Sequence, residues 1–295
     1  MTYTISDLEQ LSGVHSHTIR IWEQRYNALT PMRSQGNTRL YDDVQLVKLL
    51  NIVSLNQVGL KISKICSLSN DAIEDLLDKQ YEHQSDDDLA EFYLSRLIKF
   101  GLEFNHLAFN NLLNDCMQIM GVTNTYRRVT YPLLVRLGLM WRKDDICPAH
   151  EHFISNIIKQ KLFAQIDQIS TTNMDADTWL LFLPEDEDHD IGLIFAYYLL
   201  KLNNQNVIFL GNRTPLNSVS AVISTINIDH VLLFMVKSRA EEPTNKYIIN
   251  LTNKCKTAKI HLAGNATVIK NLKNIDHINW FKSLDEFEKS IQIPI

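Results

Sequence analysis

Pro184 to Gly192 reads P-E-D-E-D-H-D-I-G and lies between an apolar run, Trp179 to Leu183, and a helical-looking run, Leu193 to Leu200. The pattern is strand, polar loop, helix. In an α/β sheet, ligands sit in the crevice beyond the carboxyl ends of the strands, so a histidine in such a loop can face outward. His189 is therefore a candidate metal ligand. Glu187, two residues earlier, is placed to accept a hydrogen bond from the other ring nitrogen, which fixes the tautomer and makes the ligating nitrogen more basic. Gly192 lets something bulky lie against the backbone. Taken alone, the loop reads equally as a polar connection whose histidine caps the next helix, so its surroundings have to decide.

Further along, short apolar strands are expected at Val207 to Leu210, His230 to Val236, Ile260 to Ala263 and Ile278 to Phe281, alternating with helices. This alternation implies a parallel, doubly wound sheet. Glu187-x-His189-x-x-Gly192 resembles the D-x-H-x-x-G motif of cobalamin-binding domains, with Glu in place of Asp, and Phe209 to Leu216, F-L-G-N-R-T-P-L, also looks like that family. The resemblance implies a flavodoxin-like (Rossmann-type) fold with His189 replacing the cofactor's own base as the lower axial ligand of cobalt. The family's serine motif after the third strand and Gly-Gly pair after the fourth house the displaced nucleotide tail. Here only Ser238, displaced toward the loop, and Ala263-Gly264 stand in those places. The departure bears on the depth of the tail pocket and not on the fold.

Before this domain, Leu89 to about Ser170 is helical in pattern, with breaks near Gly101, Gly121 and Asp144 to Pro148, and suggests a four-helix bundle. Leu134, Leu137 and Trp141 mark the third helix, and Ile154, Ile158, Leu162, Ile166 and Ile169 the fourth, which starts near Pro148. An apolar core accounts for these stripes but not for adjacent Glu151 and His152, separated from Trp141 by nine residues. W-x9-E-H resembles the helical cap of cobalamin-dependent MerR-type photoreceptors, the CarH and LitR group. There the tryptophan and the Glu-His pair cover the upper face of adenosylcobalamin. Light-sensing members often carry a histidine directly after that tryptophan. Here Arg142 follows, and a guanidinium has no lone pair for a metal. Photolysis is then expected to leave water or hydroxide above cobalt unless His150 or His152 swings in.

At the N-terminus, Ser6 is expected to cap a helix over Asp7 to Ser12, Gly13 to break it, and Ser16 to cap a second from His17 to about Tyr26. Two short helices around a glycine turn form a helix-turn-helix candidate. Arg20, Arg25, Arg33 and Arg39 stand against the single acid Glu23 between Val14 and Tyr41, a composition suited to phosphate contact. Thr30 to Asp43, with Pro31 and Gly36, reads as a hairpin wing before a helix from about Asp43 to Asn56. H-T-I-R-x-W-E-x-R-Y followed by R-L-Y resembles the winged helix-turn-helix of MerR-type transcription regulators. That resemblance implies His17, Thr18, Arg20, Arg25 and Tyr26 on or near the recognition helix, and Arg33, Arg39 and Tyr41 on the wing against the DNA backbone.

The 295 residues allow two or three domains, and 45% hydrophobic with 21% charged residues describes an ordinary globular chain. A net charge of -5 gives no global sign of nucleic acid, so the basic head is a local feature. The 4 cysteines, Cys66, Cys116, Cys147 and Cys255, form no C-x-x-C, which argues against a zinc site or a disulfide framework. No run approaches the roughly 18 apolar residues of a membrane span, and no leader pattern opens the chain. Together these imply a multi-domain α and α/β protein: residues 1–75 a winged helix-turn-helix, 76–91 an acidic linker that tethers it loosely, 92–172 a helical-bundle cap, and 173–295 a flavodoxin-like cobalamin-binding domain. The expected function is a bacterial cytoplasmic transcriptional regulator, a repressor by resemblance and not an enzyme. Its partners would be double-stranded operator DNA and further copies of itself as a dimer or tetramer, under control of adenosylcobalamin and light. The alternatives are a regulator whose decayed cofactor pocket serves oligomerisation or a protein partner, and a cobalamin-dependent enzyme, for which the chain has no separate substrate domain.

Overall fold

Thr4, not Ser6, begins the first helix. In the computed structural model, which describes residues 2–34, 36–57, 59–79, 86–141, 147–170, 176–273, 275 and 277–291, the Asp7 amide donates to the Thr4 hydroxyl and the Thr4 amide to the Asp7 carboxylate, at 3.3 and 2.7 Å. This capping box places Ser6 inside helix α1, Ile5–Ser12, which Gly13 ends at φ 71. Helix α2 spans Ser16–Tyr26, and Ser16 does not cap it. The Ser16 hydroxyl and amide donate to Glu9 Oε2 at 2.5 and 3.1 Å, so a carboxylate from α1 serves the first turn of α2. Those bonds, first the Ser16 hydroxyl and then His15, lower the Glu9 pKa to about 2.

Strands β1, Thr2–Tyr3, β2, Met32–Arg33, and β3, Arg39–Asp42, form an antiparallel sheet in the order β1-β3-β2. The wing is the β2–β3 hairpin, with Met32 opposite Leu40 and Arg33 opposite Arg39. Helix α3, Asp43–Gln57, follows it. Short helices α4, Ile62–Ile65, and α5, Asn70–Lys79, lead on to the bundle.

The chain divides into two compact units, Met1–Ile157 and Ile158–Ile295. In the first, helices α6, Asp86–Leu102, and α7, His106–Met120, precede a long segment made of α8, Val122–Thr125, a π-helical turn, Tyr126–Thr130, and α9, Tyr131–Trp141. Helix α10, Pro148–Asp167, runs through the division between the units. Helix α3 packs on α6, and Leu46, Leu49, Leu50 and Val53 of one and Phe92, Tyr93 and Leu97 of the other are buried. The Arg136 guanidinium of α9 grips both Glu91 oxygens at 2.9 Å and donates to the Leu11 carbonyl at the end of α1 at 3.0 Å. The head is thus held against the bundle, where a loose tether was expected. The acidic stretch 76–91 is helical at both ends, because S-D-D-D is a helix-start signal as well as a linker signal. Residues 80–85 lie outside the described residues.

The first bundle break falls near Gly101, as expected: α6 ends at Leu102, Phe104 takes φ 52 and Asn105 caps α7 through the Ala108 amide at 3.1 Å. Gly101 has another use. A Cβ there would lie 2.4 Å from Ile154 Cδ1, so the glycine lets α6 and α10 approach closely.

In the second unit β4, Thr178–Pro184, β5, Asn206–Thr214, β6, His230–Met235, β7, Lys259–Gly264, and β8, Asn279–Trp280, form a parallel sheet in the order β5-β4-β6-β7-β8. Counted within the unit this is 2-1-3-4-5, the expected flavodoxin-like order. Helices α11, Ile191–Leu202, α12, Leu216–Thr225, α13, Glu241–Lys254, α14, Ala266–Lys270, and α15, Leu284–Ile291, complete it. Strand β4 is buried along nearly all its length, which explains its unbroken apolar run. Strand order reverses on either side of β4, so the loop that follows it opens at the switch point.

Candidate cofactor and nucleic-acid sites

Glu187 lies fully buried in the loop after β4. Its Oε1 accepts from His189 Nδ1 at 2.5 Å, from the His189 amide at 3.3 Å and from the Asp188 amide at 3.2 Å. Its Oε2 accepts from the Val236 and Lys237 amides, both at 2.9 Å, and from Arg239 Nη2 at 3.2 Å. Burial alone would raise the pKa of this carboxyl. The bonds from the His189 ring and from the Lys237, Val236 and His189 amides outweigh it and hold the carboxyl far below the usual range. An ionised carboxylate only accepts, so Nδ1 of His189 carries a proton, and in the neutral ring the lone pair is on Nε2. The His189 side chain is 60% exposed. The result is an oriented imidazole anchored from beneath at the switch point.

The three aspartates of the loop each have a cation that no sequence spacing marks. Asp186 pairs with Arg239, Asp188 with Arg213 through Nε and Nη2, and Asp190 with Lys159 at 2.6 Å. Arg213 sits at φ 50 near the end of β5, Arg239 in the loop after β6, and Lys159 on α10. The signal for them was the loop itself, since clustered acids folded against a sheet need countercharge. Arg213 lowers the Asp188 pKa, chiefly by direct hydrogen bonding.

Gly192 sits in the first turn of α11, and a Cβ there would lie 2.8 Å from the Phe234 ring, so what rests against this glycine is a side chain of β6. Gly264 is demanded by backbone: at φ 119, a Cβ would come within 2.4 Å of the Met235 carbonyl oxygen. Ser238 is exposed in the loop after β6. The donor set suits cobalamin at the metal-facing end, where one neutral imidazole on a buried carboxylate is what a cobalt already held in a macrocycle needs from protein.

In the first unit Trp141 ends α9, and its side chain and Arg142 lie outside what the structure describes. Glu151 and His152 sit in the first turn of α10, with Glu151 Oε2 3.3 Å from His152 Nδ1. His150 is turned inward, its Nε2 3.2 Å from the Leu102 carbonyl and its ring stacked on Phe104 at 4.2 Å.

On the head, His17, Arg20, Arg25 and Arg33 are exposed, and Thr18 and Tyr26 half-buried. Arg39 Nε donates to Glu23 Oε1 at 3.0 Å and the Tyr41 hydroxyl to Glu23 Oε2 at 2.9 Å. Tyr41 is wholly buried, which corrects the expectation that it meets the DNA backbone: it fixes the wing to α2 instead. Its burial, then its bond to Glu23, push the phenol pKa up. A cleft of about 270 Å³ between the start of α1, Arg20 and the wing residues Asn37, Thr38 and Arg39 brings two guanidinium groups to one concave surface.

Residues 3–72 match the MerR HTH family regulatory protein profile. The HTH-type transcriptional repressor CarH of Myxococcus xanthus is 26% identical over 244 residues, 82% of this chain and 81% of that protein. The HTH-type transcriptional repressor CarA of the same organism is 28% identical over 245 residues, 82% of this chain and 79% of that protein. The Methanosarcina barkeri monomethylamine corrinoid protein aligns at TM-score 0.49 and 14% identity over 67% of this chain and 96% of that one, too slight a likeness to argue from. Residues 3–72 are therefore a MerR-type helix-turn-helix domain, and over most of its length the chain resembles the CarH and CarA transcriptional repressors.

Proposed function

We propose that the chain is a DNA-binding transcriptional regulator, a repressor, whose assembly on operator DNA is controlled by adenosylcobalamin and reversed by light. The observation that carries this reading is His189, held by buried Glu187 at the switch point of a flavodoxin-like sheet in a chain that begins with a MerR-type head. Bound cobalamin would supply a cobalt to carbon bond that light can break. His189 would ligate cobalt from below through Nε2, and Glu187 would keep its proton on Nδ1. Trp141, Glu151 and His152 are assigned to the upper face, Ser238 and Gly264 to the tail side, and Gly192 to the cofactor-facing loop with His189, by resemblance. His17, Thr18, Arg20, Arg25, Arg33 and Arg39 would contact DNA, with Tyr26 beside them. The working form would be a dimer or tetramer in the bacterial cytoplasm. Among the described residues, no helix is long and apolar enough to cross a membrane.

The physical logic is linkage: a ligand that binds only the assembled state draws the equilibrium toward it by RT ln(1 + [L]/Kd), about 2.7 kcal/mol at a hundredfold excess over Kd. A second reading has one observation behind it. The Phe234 ring fills the space beside Gly192, as it would in a regulator whose cofactor pocket has closed and now serves oligomerisation or a protein partner. Gel-shift titration of a two-half-site operator, in the dark with and without adenosylcobalamin and then after illumination, separates the two. Affinity that rises with the cofactor and falls on illumination supports the main reading; affinity indifferent to both supports the second.

A further inference from the structure

We propose that Arg239 sets how strongly His189 can bind a metal, by sharing the Glu187 carboxylate with it. The proposal rests on the reading of His189 as a cobalt ligand. A carboxylate offers about four acceptor sites, yet Glu187 is approached by three donors on each oxygen. Four of these are backbone amides fixed by the fold. Of the two side chains, Arg239 brings a full charge to Oε2 at 3.2 Å and His189 brings Nδ1–H to Oε1 at 2.5 Å. The Arg239 side chain is 10% exposed, its Nη1 is tied to Asp186, and its Nε has no hydrogen-bond partner among the described residues. A guanidinium kept beneath the loop with a buried N–H unsatisfied is held at a cost, and what the position gives is the charged contact with Glu187.

Electron density drawn toward Oε2 is withdrawn from Oε1, because bonds in a shared network polarise one another. The carboxylate then pulls less on the His189 proton, and Nε2 stays an ordinary imidazole donor instead of gaining imidazolate character. Such a ligand grips cobalt firmly enough to orient it and releases it to a competitor.

The test uses the cofactor-free full chain first. The proton resonance of His189 Nδ1–H, identified by its loss in His189→Gln, should move downfield in Arg239→Met, which keeps the stem and removes the charge and donors, and should lie between the two in Arg239→Lys. An unmoved or upfield resonance in Arg239→Met overturns the proposal, since a residue that only pinned the loop would loosen the bond when lost. The second arm uses bound hydroxocobalamin: free imidazole should displace His189 from Arg239→Met only at roughly tenfold higher concentration than from wild type, and equal concentrations overturn it. If wild type does not ligate hydroxocobalamin through His189, the proposed function falls, while the resonance still decides whether Arg239 shares the carboxylate. Should circular dichroism show Arg239→Met unfolded, Arg239→Lys carries the test, and a resonance at or upfield of the wild-type position overturns it.

Discussion

Glu23 changes what Arg39 can do. The guanidinium is tied to this acid through Nε, and its side chain is 26% exposed. A phosphate approaching the wing would therefore meet a pair already oriented by α2. Arg39→Ala removes the cation and leaves Glu23 facing the DNA, so affinity should fall for all sequences, and the slope of log affinity against log salt should shrink by about one. Filter-binding across a salt series measures it, and an unchanged slope would place Arg39 outside the interface. Glu187 and His189 were legible in the sequence because their contact is local, two residues apart in one loop. Arg239, Arg213 and the Glu23 to Tyr41 bond were not, because folding brings them together across 52, 25 and 18 positions, a separation that periodicity does not encode.

At the scale of elements, the amino-terminal edge of the sheet holds a polar chain that no spacing announced. Asn279 Nδ2 lies 3.2 Å from His261 Nδ1, His261 Nε2 lies 2.9 Å from His230 Nδ1, and His230 Nε2 lies 3.1 Å from Asp177, while Trp179 stacks on His230 at 4.1 Å. The bonds run in one direction if both rings are neutral, with each donating through Nε2. Burial first, then neighbouring His230 and Lys259, lower the His261 pKa from 6.5 to about 3. The unfolded chain therefore binds a proton at His261 that the folded chain refuses, so stability is full above pH 6.5 and is lost as pH falls toward 3. The unfolding free energy from urea titrations should decline across that window by up to about 1.4 kcal/mol per pH unit from this group, and His261→Gln should flatten the decline; an unaltered slope in the variant would exclude the group. Gly101 supplies a second check. In an exposed helix interior Gly→Ala would gain about 1 kcal/mol, but here the new Cβ meets buried Ile154 at 2.4 Å. Overpacking of about 1–3 kcal/mol should win, lowering the urea midpoint of Gly101→Ala, with partial recovery on adding Ile154→Val; a midpoint above wild type would contradict the close approach. The five strands of the second unit were readable from short apolar runs between helices. Strand β1, Thr2–Tyr3, was not, because no apolar run marks it, and Thr4 was overlooked as a cap because Ser6 also fits the pattern two residues on.

For the whole molecule, the sequence conveyed the succession of head, bundle and sheet domain, because a helix-turn-helix with a hairpin wing gives way to long helical stripes and then to short apolar strands between helices. It did not convey that the head packs on α6 and is joined to α9 through Arg136, since that contact depends on faces two helices present to each other. The most direct test of the central claim is the absorption spectrum of the full chain mixed in the dark with adenosylcobalamin and passed through a desalting column, beside His189→Ala. The account predicts that wild type retains the cofactor with the spectrum of histidine-ligated cobalt, and that His189→Ala retains little and shows no histidine ligation. Equal retention with identical spectra in the two proteins would contradict it.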